Sequence, residues 1–318
     1  MPIELGYAKL EVVRTVPFIK LVLNISSGSA RTTCNFTVAE DVIRRTGVDL
    51  SQGTFFAFDG ADELYRGEVE SVDIEYQTEL VKVATEQILT PETLRQNVKN
   101  NVRKILSQPP LNDSFLANPS VLEPLIKDLS DTERSKDDLI QECYRHNIII
   151  DNFGRLHNIA AAPERLILGD PNAFTAVATI NNFHHTPVQM FRGDTRLSRI
   201  IVKAADETED GLLTDTYQLG NGPVTYRESR EASSFEWADL YAREATRTII
   251  RESAQLKITL PLNLKINPIT GVNLINRVAS TAGLGLWTVE TVSHSVSGTT
   301  SSTTLNCKVL FENEKWRR

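Results

Sequence analysis

Between residues 256 and 266 every second residue is apolar. Leu256, Ile258, Leu260, Leu262, Leu264 and Ile266 alternate with Lys257, Thr259, Pro261, Asn263 and Lys265. A period of two puts all six on one side of a pleated backbone, which predicts a strand with one buried face. Pro261 has no N–H to give to a ladder, so an edge or a bulge is expected there. Two more strands are predicted over 287–296 and 303–311, joined by S-G-T-T-S-S, with Leu305, Cys307, Val309 and Phe311 on one face. Ahead of them, 233–253 reads as a helix. Ala238, Tyr241, Ala242, Ala245 and Ile249 make its apolar stripe, while Arg243, Glu244, Arg247 and Arg251 lie largely off it.

The other end of the chain is also strand-rich. Residues 18–25 are β-branched and apolar and end at the turn cluster Ser26-Ser27-Gly28-Ser29. Cys34, Phe36 and Val38 then alternate with Asn35 and Thr37, and 42–47 has room for one helical turn. A hairpin follows over 54–58 and 64–76 around Asp59-Gly60. Its second strand changes apolar phase between Val69 and Val72, the mark of a β-bulge, which bends a strand as barrels require. Short strands at close spacing favour a small barrel or sandwich.

The middle is mixed. Thr90 reads as an N-cap with Pro91 at the first helical position, and Leu94, Val98, Val102 and Ile105 keep helical spacing until Pro109-Pro110. A loop is expected near 111–120 and a helix over 136–145, with Leu139, Ile140 and Cys143 inward. Strand, turn and strand are expected over 148–150, 151–154 and 156–159. Val188, Met190 and Ile200-Ile201-Val202 suggest further strands, and 206–232 reads as a long exposed loop with one strand near Tyr217. The expectation is therefore a mainly β chain with an α+β middle: a first β-barrel domain over 1–85, a mixed α/β region over 86–230, and a helix plus second β-barrel domain over 231–318.

Composition excludes some functions. The 318 residues carry a net charge of −7, against a chain whose task is gripping phosphates. No apolar run approaches the roughly 20 residues of a membrane helix, and no secretory leader is visible at the start. Three scattered cysteines (Cys34, Cys143, Cys307) do not make a disulfide framework, which fits folding in a reducing cytoplasm.

Enzyme chemistry does not stand out. His184-His185 is tempting for a metal, but strand neighbours point to opposite faces and no further ligand spacing accompanies them. Glu68, Glu70, Asp73 and Glu75 read as the solvated face of a strand. A glycosidase would need two carboxylates converging across a groove. No nucleophile elbow or P-loop is present, and Gly283 and Gly285 form only a lone G-x-G. Arg192-Gly193-Asp194 and the basic tail from Lys315 to Arg318 are read as a turn and a frayed end. No catalytic, cofactor-binding or metal residue is assigned, and no cofactor is expected.

The order of motifs is more specific than any one of them. The helix A-D-L-Y-A-R-E-A-T-R-T-I-I-R-E-S-A, the strand Q-L-K-I-T-L-P-L-N-L-K-I, the turn N-P-I-T-G-V, then W-T-V-E-T-V-S-H-S-V and T-T-L-N-C-K-V-L-F, resemble the late-control D family of phage tail proteins. That family includes the central hub of T-even phage baseplates and subunits of related injection machines. Y-R-G-E-V-E-S-V over 65–72 looks like the strand that closes the first barrel of such hubs. The turn departs from the usual tight Pro-Gly pair, with Pro268-Ile269-Thr270-Gly271 in its place, and the chain is short for the family.

The resemblance implies a virion structural protein rather than an enzyme. Such hubs are homotrimers in which each subunit gives two similar barrels, adapting a six-fold tail tube to a three-fold spike around a lumen. The implied partners are the tube protein, the spike and other baseplate proteins, with no specific nucleic-acid binding. The implied location is a tail or injection-machine baseplate, assembled in a host bacterial cytoplasm. The competing readings are a peptidoglycan-degrading tail hydrolase and a β-rich carbohydrate-binding or adhesion module. The sequence assigns no interface residue.

Overall fold

The computed structural model describes residues 3–9, 12–26, 32–107, 119–131, 133–146, 148–151, 153–158, 176–181, 189–192, 198–208, 211–219, 224–268, 270–275 and 286–309. Seven strands build the N-terminal part: β1 (Glu4–Lys9), β2 (Val12–Thr15), β3 (Lys20–Ser26), β4 (Thr33–Ala39), β5 (Thr54–Asp59), β6 (Asp62–Glu75) and β7 (Leu80–Gln87). A short helix, α1 (Glu40–Thr46), links β4 to β5 and ends at Gly47, whose φ of 66° is one that glycine adopts without strain. The C-terminal part supplies β15 (Ala254–Pro261), β16 (Thr270–Ile275), β17 (Leu286–Ser297) and β18 (Ser301–Val309).

These two parts are one sheet. The strand order runs β15-β18-β17-β3-β4-β7-β6-β5-β1-β2, with β11 (Gln189–Arg192) beyond β15, and β10 (Ala176–Asn181) parallel to β16, which pairs with β17. The seam is the antiparallel pairing of β17 with β3, where Thr291 to Ser297 face Ser26 to Lys20. Directly opposed residues share a face, so one core row crosses seven strands: Leu260, Thr303, His294, Leu23, Cys34, Thr85 and Val69. Apolar side chains from both ends of the chain lie in a single contiguous core. The predicted phase slip in β6 is a register shift between Val69 and Ser71.

Tyr65 and Gly67 show what the Y-R-G-E-V-E-S-V stretch does. The Tyr65 ring is buried and its hydroxyl lies 2.9 Å from Thr85 Oγ1, which in turn donates to the Cys34 carbonyl at 2.7 Å. A Cβ at position 67 would sit 2.5 Å from the Glu86 carbonyl oxygen and would strike the Tyr65 hydroxyl. Glycine is there because two strands and a ring converge on that spot.

The alternation from Leu256 to Ile266 outruns its strand. The ladder stops at Pro261, as a residue without an N–H dictates. Leu262 and Leu264 still pack against the core and Ile266 is buried in it. The face is continuous, whereas the strand is not.

The middle contains two further cores. In the first, α2 (Pro91–Leu106), α3 (Pro119–Leu129) and α4 (Lys136–Arg145) pack with the hairpin of β8 (Ile148–Ile150) and β9 (Leu156–Asn158) around Leu94, Val98, Val102, Leu125, Leu129, Leu139 and Cys143. Thr90 caps α2 as expected, its side chain accepting from the Thr93 N–H at 3.1 Å. The α3 helix corrects the sequence reading, which placed a loop near 111–120 and no helix between it and residue 136. Two prolines in α3, Pro119 at its start and Pro124 inside it, hid the pattern.

In the second core, α5 (Phe235–Ser253) lies on a three-stranded sheet of β12 (Ser198–Thr208), β13 (Gly211–Leu219) and β14 (Val224–Ala232), ordered β13-β12-β14. Residues 206–232 are thus mainly strand, not the long loop expected. The charged residues Arg227 and Glu231 of β14 are exposed, while Ile200, Val202, Ala204 and Ala232 face the helix. Ala238, Ala242 and Ala245 let α5 approach closely, and Trp237 touches both middle cores. Among the described residues no helix is long and apolar enough to cross a membrane.

Candidate functional site

Charged side chains are rarely buried unless paired. A buried ionic cluster sits where α4 meets α5 and β14. Glu142 and His146 are four residues apart on one face of α4, and Glu244 comes from α5. Relative exposures of 9% for Glu142, 4% for His146 and 2% for Glu244 put all three inside the protein. His146 Nδ1 lies 3.0 Å from Glu244 Oε1, and His146 Nε2 lies 3.5 Å from Glu142 Oε1. The other oxygens are held by arginines: Arg145 Nη1 donates to Glu142 Oε2 at 2.8 Å, and Arg230 Nη1 to Glu244 Oε2 at 3.0 Å. Arg230 also bonds Glu228 and stacks 4.1 Å over the Tyr241 ring.

The electrostatics follow from that geometry. Burial alone would lower the imidazole pKa, but the Glu244 and Glu142 carboxylates override it and hold His146 up at about 9. Burial raises the Glu142 carboxyl, and the bond to His146 together with Arg145 and Arg134 outweighs it, leaving the group at about 2. Glu244 is likewise pulled below the usual carboxylate range, against burial, by His146 and Arg230. Even so, His146 Nε2 and Glu244 Oε1 have no well-formed hydrogen bond.

The sequence reading missed this cluster. It set Glu244 on the polar side of the helix, and the structure corrects that: Glu244 is buried because Arg230 and His146 reach it from other elements. The only local signal was the four-residue spacing of Glu142 and His146.

A second buried histidine sits on the seam. His294 Nδ1 lies 3.0 Å from Thr303 Oγ1, which accepts from the Asn263 N–H at 2.9 Å, and the ring also bonds the Ile266 backbone. This chain of bonds anchors the segment after Pro261. With Thr303 Oγ1 accepting from Asn263, its own proton points to Nδ1, so the neutral ring completes the set. Burial drives the His294 pKa down to about 4.

The surface offers a different feature. The far end of β6 pairs with β7, which is itself paired with β4, and has no β5 partner beyond Glu68, so among the described residues this part of β6 lies at the edge of the sheet. Val72, Ile74 and Tyr76 are exposed along it, Tyr76 at 83%, with Ile19 exposed at the start of β3. On the other face a groove of about 470 Å³ is lined by Lys20, Val22, Asn35, Ser71, Asp73 and Lys82.

The residues weighed in the sequence are not brought together. Glu68, Glu70 and Asp73 are exposed on β6, and Glu75 pairs with Lys82. His157 meets Asp151 at 3.0 Å in the β8–β9 turn. The three cysteines are buried free thiols, which burial pushes up to about 12. His184-His185, Gly193-Asp194, Gly283, Gly285 and residues 315–318 lie outside the described residues. Glu142 and Glu244 do converge, yet both are buried and tied to arginines rather than opening on a cleft.

No protein-family model and no curated protein sequence matches this chain. Solved structures do. The tail protein from Neisseria meningitidis superposes with a TM-score of 0.60 at 11% identity, over 99% of this chain and 98% of that one. The 43 kDa tail protein of prophage MuSo2 from Shewanella oneidensis gives 0.56 at 11% identity, over 96% and 98%. A prophage tail protein from Listeria monocytogenes gives 0.51 at 10% identity, over 96% and 94%. The chain has the fold of these tail proteins along nearly its whole length.

Proposed function

We propose that the chain is a non-enzymatic structural subunit of a phage-type tail baseplate or a related injection machine, and that it serves there as the hub. In this reading three copies form a ring, each giving two barrel-like ends, so that six similar units meet the tail tube while the three-fold ring holds the spike. The observation that carries it is the near end-to-end likeness of fold to tail proteins. The joined sheet supports it: strands from both ends of the chain, hydrogen-bonded across the β3–β17 seam, suit a subunit that presents two β units side by side. Affinity in such a ring comes from large surfaces rather than a pocket. The edge of the sheet at the end of β6, with Val72, Ile74 and the following Tyr76 exposed, is the surface assigned to a neighbouring copy. Its position at the sheet edge and its apolar side chains suit strand-to-strand contact.

Co-sedimentation with assembled tail-tube protein from the same genome tests the reading. Saturable binding at the tube end in multiples of three chains fits it, and no binding with or without the spike protein rejects it.

A further inference from the structure

We propose that Glu142, His146 and Glu244 form a binding site for one divalent metal ion, zinc by chemistry, that staples α4 to α5. The three side chains offer one imidazole nitrogen and two carboxylate oxygens, and these atoms lie within 4.8 Å of one another. That donor set is one zinc takes, with the fourth position left to water. A tetrahedral zinc needs ligand atoms about 3.4 Å apart and takes one ring nitrogen, so the imidazole, whose two nitrogens face different carboxylates, must turn as the widest pair closes.

Two observations beyond proximity point to a ligand. His146 Nε2 and Glu244 Oε1 are buried in ion-pair contact but without a well-formed hydrogen bond, and both belong to this cluster. Each glutamate, moreover, has its Oε2 held by an arginine, Arg145 or Arg230, which leaves both Oε1 atoms turned to His146. Outer hydrogen bonds of this kind orient metal-ligating carboxylates. The site joins the helical core to the α5 core, where Trp237 is the apolar contact common to both. It stands apart from the hub reading and does not depend on it.

Binding needs a neutral imidazole, so zinc and a proton compete for His146. The test therefore uses the full chain, stripped with a chelator, at about pH 8. Zinc is titrated against a fluorescent competitor and thermal melting is followed in parallel. The expected result is one zinc per chain, a raised melting temperature, and affinity at least tenfold weaker in His146→Gln and in Glu244→Gln. Unchanged affinity in a His184→Ala/His185→Ala variant belongs to the same expectation.

Absence of saturable binding in the wild-type chain overturns the proposal, as does loss of zinc in the His184/His185 variant. Should the cluster variants fail to fold, cobalt added to the wild-type chain decides. A tetrahedral cobalt spectrum without a thiolate charge-transfer band supports the site, and a thiolate band places the ion at a cysteine and refutes it.

Discussion

Lowering the pH should loosen the seam between the two ends of the sheet, and His294 sets the size of the effect. Its folded pKa is about 4, depressed by burial, against about 6.5 for a free imidazole. The unfolded chain therefore binds a proton that the folded chain refuses in this window, so stability falls as pH drops from above 6.5 toward 4. The lost contribution is about 2 kcal/mol at about pH 5 and about 3 kcal/mol at about pH 4. His146, held at about 9, gains stability over the same fall in pH and carboxylates such as Glu142 lose theirs below about pH 4.5, so the difference between the wild-type chain and a His294 variant isolates this histidine. The assay is urea unfolding at about pH 7.5 and about pH 5 for the wild-type chain and for His294→Gln. The variant should start less stable, because Thr303 and Ile266 lose a fitted partner, and should lose about 2 kcal/mol less on acidification. Parallel losses in the two proteins would refute the reasoning, since the proton would then not be going to His294.

Other substitutions probe separate links. Gly67→Ala should destabilise by about 1–3 kcal/mol in chemical denaturation, because its Cβ meets the Glu86 carbonyl and the Tyr65 hydroxyl. Thr90→Ala should cost about 1 kcal/mol through the lost cap of α2, read in the same assay. Arg230→Met removes the arginine from Glu228 and leaves Glu244 with His146 alone, and should cost about 3 kcal/mol, with the melting temperature as the readout. Ile74→Asp lies on the exposed hairpin, so it should leave the melting temperature of the single chain unchanged while weakening self-association in sedimentation velocity.

Much of the local structure was legible because the sequence repeats its period over several turns or pleats. Residues 136–145 form a helix as read, since Leu139 and Cys143 recur at helical spacing. The β6 bulge showed as a one-residue slip in phase. Long-range pairing left no such trace. Nothing in Leu21, Leu23 and Ile25 says that their partner is β17, some 270 residues later, because alternation sets the buried face and not the neighbour. Polar burial was illegible for the same reason. Glu244 is exposed or buried according to whether Arg230 and His146 come to meet it, and His294 according to whether Thr303 and Ile266 do. The strands of 206–232 were masked by composition: a sheet with one face on α5 and a solvated face over β14 carries charges that read as loop.

Native mass spectrometry of the purified chain, alone and mixed with a candidate spike protein, tests the central claim most directly. The hub account predicts a species of three chains, alone or with the spike bound. A single chain under both conditions would contradict it.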